Sequence, residues 1–157
     1  MKKTGIKVYL AGAFTSPDWR DRVMREAPMH TYFDPRRNEQ AACVTIVRDD
    51  LIKGVEGSDM TFLYFPNGSR DTGACVEGGD AFGRRKPIVL VNENGFQHPI
   101  ISGIAKRHFI SLDAGIVYLR NLKSLEQAEE FKAAYKTIDD LAKQAIAERN
   151  RKRIIKQ

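Results

Sequence analysis

The segment from Asp71 to Arg84, set between two apolar runs, constrains what this chain can fold into more than any other feature. Before it, Met60 to Phe65 ends at the turn signal Pro66-Asn67-Gly68, the pattern of a buried strand. After it, Ile88-Val89-Leu90-Val91 is the short aliphatic run of a central parallel strand. Asp71 and Thr72 are capping residue types, and Gly83 is a helix stop. The residues between them predict a helix of about three turns. Two parallel strands joined through a helix make a βαβ unit, and Glu77 falls in the first or second turn of its crossover helix.

Open α/β sheets bind ligands outside the carboxyl ends of their strands, near helix N-termini. There the helix dipole is expected to favour the ionised, nucleophilic form of Glu77. The plain alternative is a dipole partner with no chemistry. Gly78 and Gly79 follow, each weakening a helix by roughly 1 kcal/mol relative to Ala. A neighbouring strand or a ligand is therefore expected to need the space.

The rest of the chain continues the alternation. Ile6 to Leu10 predicts a first strand leading into Ala11-Gly12-Ala13-Phe14, with Tyr9 at its end. Ser16-Pro17-Asp18 starts a helix running to about Ala27 and stopped by Pro28. His30 to Phe33 is a short strand ending at Asp34-Pro35-Arg36-Arg37-Asn38, and Thr45 to Gly57 suits a helix. Beyond the fourth strand, Pro99 to Arg107 suits a short helix. A fifth strand is expected at Phe109–Leu112 or Ile116–Leu119. From Ser124 onward Leu125, Ala128, Phe131, Tyr135, Ile138, Leu141 and Ala145 recur at helical spacing, predicting a long helix over about 124–152. The expected fold is α/β: one domain over 1–157, a Rossmann-like open parallel sheet of about five strands with helices on both faces, and flavodoxin-like order 2-1-3-4-5.

With 157 residues, 42% hydrophobic and 29% charged, a single soluble domain needs no staples. No apolar run approaches a membrane span, and two cysteines suit a reducing cytoplasm. Cys43 and Cys75 and the three scattered histidines lack metal-site spacing, so neither metal nor cofactor is expected. The net charge of +6 is mostly a tail. Lys143, Arg149, Arg151, Lys152, Arg153 and Lys156 against Glu148 give +5 over residues 143–157. A solvated helix end explains this better than a nucleic-acid contact.

Phosphate-loop, dinucleotide and serine-elbow fingerprints are all missing. What remains at strand carboxyl ends is acidic: Asp49 and Asp50, Asp71, and Glu77. Carboxylates without a metal motif suit substitution at an acetal-type carbon, of which an N-glycosidic carbon is an analogue. Either Asp49 or Asp50 could supply the acid.

Three stretches carry a family resemblance: Val8-Tyr9-Leu10-Ala11-Gly12; Asp50-Leu51 leading to Gly57-Ser58-Asp59; and Asp71-x-Gly73-x-x-x-Glu77-x-Gly79-x-Ala81 before Lys86-Pro87. Over residues 6–112 the chain resembles the nucleoside 2-deoxyribosyltransferase superfamily. The resemblance implies a retaining enzyme acting on a deoxynucleoside and a free nucleobase, with Glu77 as nucleophile and Tyr9 orienting it. Asp50 is implied to protonate the base and Asp71 to hold the sugar. Gly12, Phe14, Asp49, Gly73 and Arg36 are carried as substrate-binding candidates, and the family favours a homo-oligomer. The related 2′-deoxynucleoside 5′-monophosphate N-hydrolases carry a phosphate-binding serine where this chain has Asp71, which favours nucleosides. Thr15, Ser16 and Arg20 are the residues that could still bind a phosphate. The asparagine that transferases supply near the C-terminus has no match, so hydrolysis stays open beside transfer. A non-catalytic nucleotide- or nucleic-acid-binding module is the alternative from another class.

Overall fold

The computed structural model describes residues 5–14, 19–38, 42–94, 99–123 and 127. The helix start at Ser16-Pro17-Asp18 and, residue 127 apart, the long helix with its basic tail expected from 124 onward lie outside them.

Five parallel strands form one sheet in the order β2-β1-β3-β4-β5, as the sequence pattern predicts. They are β1 (Lys7–Gly12), β2 (Thr31–Phe33), β3 (Met60–Phe65), β4 (Ile88–Asn92) and β5 (Arg107–Phe109). The helices are α1 (Trp19–Glu26), α2 (Cys43–Val47), α3 (Thr72–Gly83), α4 (Pro99–Ile104) and α5 (Leu112–Asn121). Among the described residues no helix is long and apolar enough to cross a membrane.

Side chains alternate across each strand, and this sorts the interior into two halves. Val8, Leu10, Phe62, Tyr64, Val89 and Val91 meet Trp19 and Val23 of α1 and Ile116 and Leu119 of α5. Tyr9, Ala11, Leu63, Leu90 and Phe65 face the other way, toward Ala74 and Ala81 of α3 and Ile104 of α4. Trp19 is a core anchor, its ring 5.0 Å from that of Tyr64. His30 ties three elements together: its Nδ1 accepts from the Ile6 amide at 3.3 Å, and its Nε2 lies 2.7 Å from the Leu119 carbonyl.

Two elements differ from the sequence expectation. The helix expected over Thr45–Gly57 is α-helical only through α2. It continues as a π-helical stretch over Arg48–Glu56, closed by a bond from the Gly57 amide to the Ile52 carbonyl five residues back. The fifth strand is Arg107–Phe109, while the apolar run Ile116–Leu119 is helical. There Leu112, Ile116 and Leu119 are buried at helical spacing, and Ser111 caps the helix by accepting from the Ala114 amide at 3.3 Å. A short apolar run is ambiguous by periodicity alone, and here the cap decides. Replacing Ser111 by Ala is expected to cost about 1 kcal/mol, read in urea as a lower midpoint with an unchanged slope.

Candidate active site

Tyr9 is the third residue of β1, not its last, and it projects from the middle of the strand toward α3. Its hydroxyl donates to Glu77 Oε1 at 2.7 Å. The ring is fully buried and lies 5.7 Å from that of Phe33. Burial first, then the Glu77 charge and hydrogen bond and the Asp50 charge, push the phenol far above its ordinary pKa. Tyr9 thus stays a neutral donor.

Glu77 is the sixth residue of α3, in the second turn and so past the first turn where the helix N-terminal field acts. The ionised form expected from the sequence is not the resting form. Burial is the largest influence and, with the charges of Asp50 and Asp71, lifts the carboxyl to about 8 against the opposing Tyr9 bond and Arg20 charge.

Asp71 is the N-cap of α3, accepting from the Ala74 amide at 3.0 Å. Asp50 is buried in the π-helical stretch, and its charge reaches both Tyr9 and Glu77. Its neighbour Asp49 turns elsewhere, to Lys53 Nζ at 2.7 Å and Arg48 Nε at 2.9 Å. These two cations hold its carboxyl below the ordinary range.

Gly12 has φ of 150° at the end of β1, and a Cβ there would lie 2.5 Å from the Tyr64 carbonyl oxygen. Gly73 is exposed beside the Asp71 carboxylate. Phe14 is 51% exposed, its ring 4.9 Å from the Arg20 guanidinium.

Arg20 and Arg36 are both engaged in holding the fold. Arg20, 1% exposed, donates to the carbonyls of Leu10 at 3.1 Å, Ala13 at 3.3 Å and Gly12 at 2.5 Å. It also lies 3.7 Å from Asp34. A guanidinium engaged in this way is not presented to a phosphate, contrary to the possibility raised by the sequence; Thr15 and Ser16 lie outside the described residues. Arg36 donates to both Asp34 and Asp21 at 2.7 Å, so it too faces protein carboxylates.

A cleft of about 430 Å³ opens between the carboxyl ends of β3 and β4 and the helices α3 and α4, and Glu77 is not among the residues that line it. Asp71 lines it, with Arg70, Thr72, Asn92 and Ile101, so one carboxylate borders both the cleft and the Glu77 environment. Among the described residues no group of three or more His, Cys, Asp and Glu side chains could hold a metal.

Sequence reasoning missed Gly54. A Cβ at this position would lie 2.6 Å from Tyr9 Cε2, so the π-helical backbone rests against the Tyr9 ring. The available signal was a glycine inside a helical pattern, where Ala is favoured by about 1 kcal/mol. Of the pair that did attract attention, Gly78 is the closely packed one: a Cβ there would lie 3.0 Å from Leu63 Cδ2 and 3.5 Å from Ile104 Cδ1. Gly79 faces open space.

The Glu77 acidity has a consequence for folding. Its folded value near 8 lies above the reference 4.5, so between these values the native state holds a proton that the unfolded chain has lost. Stability from this group is full at pH below 4.5 and drains away as pH rises toward 8. Glu77→Gln has no such loss. The variant should match the wild type near pH 4.5 and exceed it by a few kcal/mol at pH 8, a pKa unit being worth about 1.4 kcal/mol. Chemical denaturation at a series of pH values reads this difference; a constant gap would contradict it.

No protein-family model and no curated protein sequence matches the chain. Solved structures do. A 2-deoxyribosyltransferase from Bacillus psychrosaccharolyticus superposes with a TM-score of 0.60 at 23% identity, over 74% of this chain and 91% of its own. A 2-deoxyribosyltransferase from Leishmania mexicana gives 0.54 at 17%, over 73% and 97%. A CMP N-glycosidase from Clostridium botulinum gives 0.51 at 16%, over 72% and 97%. At these identities the likeness is one of architecture: the chain has the fold that 2-deoxyribosyltransferases and this N-glycosidase share.

Proposed function

We propose that the chain is an enzyme that cleaves the N-glycosidic bond of 2′-deoxynucleosides by a retaining double displacement, with Glu77 as the nucleophile. The observation that carries this reading is the Tyr9–Glu77 hydrogen bond, made where two further carboxylates act on the same group. The names of the similar structures, two 2-deoxyribosyltransferases and a CMP N-glycosidase, support the same bond class.

In the first step an oxygen of Glu77 bonds to C1′ as the bond from C1′ to the base nitrogen breaks. The bond's electron pair leaves with the base, which takes a proton from Asp50. In the second step an acceptor base or water attacks C1′ of the glycosyl ester from the face the first base left. The electron pair returns to Glu77 and the acceptor's proton to Asp50. The transition state is oxocarbenium-like, and the surrounding carboxylates stabilise its positive charge. A substrate without an electron-withdrawing 2′-hydroxyl forms that cation more easily, which favours deoxy sugars.

Proton count is compatible with this sequence of steps. Near neutrality Glu77 holds a proton, and the reactive arrangement needs the same single proton on Asp50 instead. Losing that proton therefore ends activity. We expect kcat/KM to fall on the alkaline side with a midpoint near the Glu77 value of about 8. Glu77→Ala should reduce base release from 2′-deoxynucleosides by several orders of magnitude while leaving the fold intact by circular dichroism. Chromatography with and without a second base separates transfer from hydrolysis. Undiminished turnover in Glu77→Ala would remove the enzyme reading and favour a binding module.

A 5′-monophosphate substrate is the second reading, favoured by the exposed Arg70 lining the cleft that Asp71 also borders. If it holds, Arg70→Ala raises KM for the monophosphate about tenfold, the effect of roughly 1.4 kcal/mol, and leaves KM for the nucleoside unchanged. Equal effects on the two substrates would exclude it.

A further inference from the structure

The π-helical stretch Arg48–Glu56 meets the ring of Tyr9, the donor to Glu77, at a residue that has no side chain. A Cβ on Gly54 would lie 2.6 Å from Tyr9 Cε2, 2.9 Å from Tyr9 Cδ2 and 3.1 Å from Phe33 Cε1. Those ring atoms have little room to retreat, because Tyr9 is fully buried and packed with Val55, Leu63 and Ala74. Glycine costs a helix about 1 kcal/mol relative to Ala, and π-helical turns are rare and concentrated at functional sites. Helix propensity is thus sacrificed at a point where this backbone presses on the orienting phenol.

We propose that Gly54 is a positioning residue, whose missing side chain lets the π-helical backbone hold the Tyr9 ring so that its hydroxyl points at Glu77. The proposal deepens the reading of Glu77 as nucleophile and rests on it for its functional meaning. A methyl group at position 54 displaces the ring, and a displacement of a few tenths of an ångström at the ring carbons turns the hydroxyl off a bond 2.7 Å long.

The charged and titratable groups acting on Glu77 are Tyr9 from β1, Asp50 from the π-helical stretch, Asp71 from the cap of α3 and Arg20 from α1. Those acting on Tyr9 are Glu77, Asp50 and Arg20. Two of them give opposite signals. Loss of the Tyr9 bond raises the Glu77 midpoint, whereas a π-helical stretch pushed outward with Asp50 lowers it. The direction of the change therefore tells which of the two the added methyl has moved.

The test follows the Glu77 carboxyl by 13C NMR in the full chain carrying carboxyl-labelled glutamate, with the signal assigned by its disappearance in Glu77→Gln. We expect Gly54→Ala to raise the midpoint by about one pH unit, as expected for loss of a hydrogen bond to the charged form. Tyr9→Phe should raise it similarly, and the two together no further than Tyr9→Phe alone. An unchanged or lowered midpoint in Gly54→Ala, or additive shifts in the double variant, overturns the proposal. A packing role alone would lower stability without moving the midpoint. If Gly54→Ala does not fold, Gly54→Ala/Phe33→Leu is compared with Phe33→Leu. There the added methyl still meets the Tyr9 ring, so a raised midpoint supports the proposal and an equal or lower one overturns it. The titration needs no substrate, so its failure is distinct from failure of the nucleophile reading, which turnover in Glu77→Ala decides.

Discussion

The carboxyl end of β1 depends on one buried cation. A guanidinium taken out of water costs several kcal/mol unless its charge and donors are met. Arg20 meets them with the carbonyls of Leu10, Gly12 and Ala13 and with Asp34. Those carbonyls belong to the last residues of the strand and the turn beyond it, so a single side chain fixes the backbone where the sheet gives way to the site. Asp34 carries the same link to the end of β2, and Arg36 extends it to Asp21 on α1. The basic groups along this edge are thereby bound to protein acceptors. The charges of Asp50 and Asp71 give the surroundings of Glu77 an acidic character, which suits the proposed reaction and the positive charge it develops on a sugar.

Glu77 owes its behaviour to burial more than to the helix that carries it. A carboxyl in the sixth position of α3 gains little from the N-terminal field, because that field fades within a turn. The assembled fold, however, removes water from it and sets the charge of Asp50, from the π-helical stretch, beside that of Asp71 from the cap of its own helix. Both effects raise its proton affinity. The Tyr9 bond works in the opposite sense, keeping the ionised form within reach.

Much of this could be read from the chain itself. Strands β3 and β4 and helix α3 carry matched signals: apolar runs of strand length, a capping aspartate and a closing glycine. Their bounds lie within a residue of the expectation. The strand order follows from the alternation of elements. What was not legible came from contacts between distant residues. The π-helical form of Arg48–Glu56 has no periodicity signature, and it decides that Asp50 acts on the Tyr9–Glu77 pair while Asp49 turns to Arg48 and Lys53. The importance of Gly54 exists only because the Tyr9 ring arrives there from β1. The acidity of Glu77 reverses the local expectation because desolvation is a property of the assembled core. Of the two stretches expected to hold the fifth strand, Phe109–Leu112 overlaps it at Phe109, and Ile116–Leu119 is helical behind the Ser111 cap.

Asp71 serves two ends that place different demands on its chemistry. As the cap of α3 it needs only a short side chain with an accepting oxygen, a requirement that Asn, Ser and Thr also meet. As a neighbour of Glu77 it matters through its charge. The two requirements can therefore be separated by a single substitution: the helix keeps its fastening while the negative charge beside the carboxyl disappears. A lineage could in this way retune the acidity of Glu77, and the welcome the site gives an anionic substrate, without disturbing the scaffold. The adaptable part of the site is the residue at the root of the helix that carries Glu77.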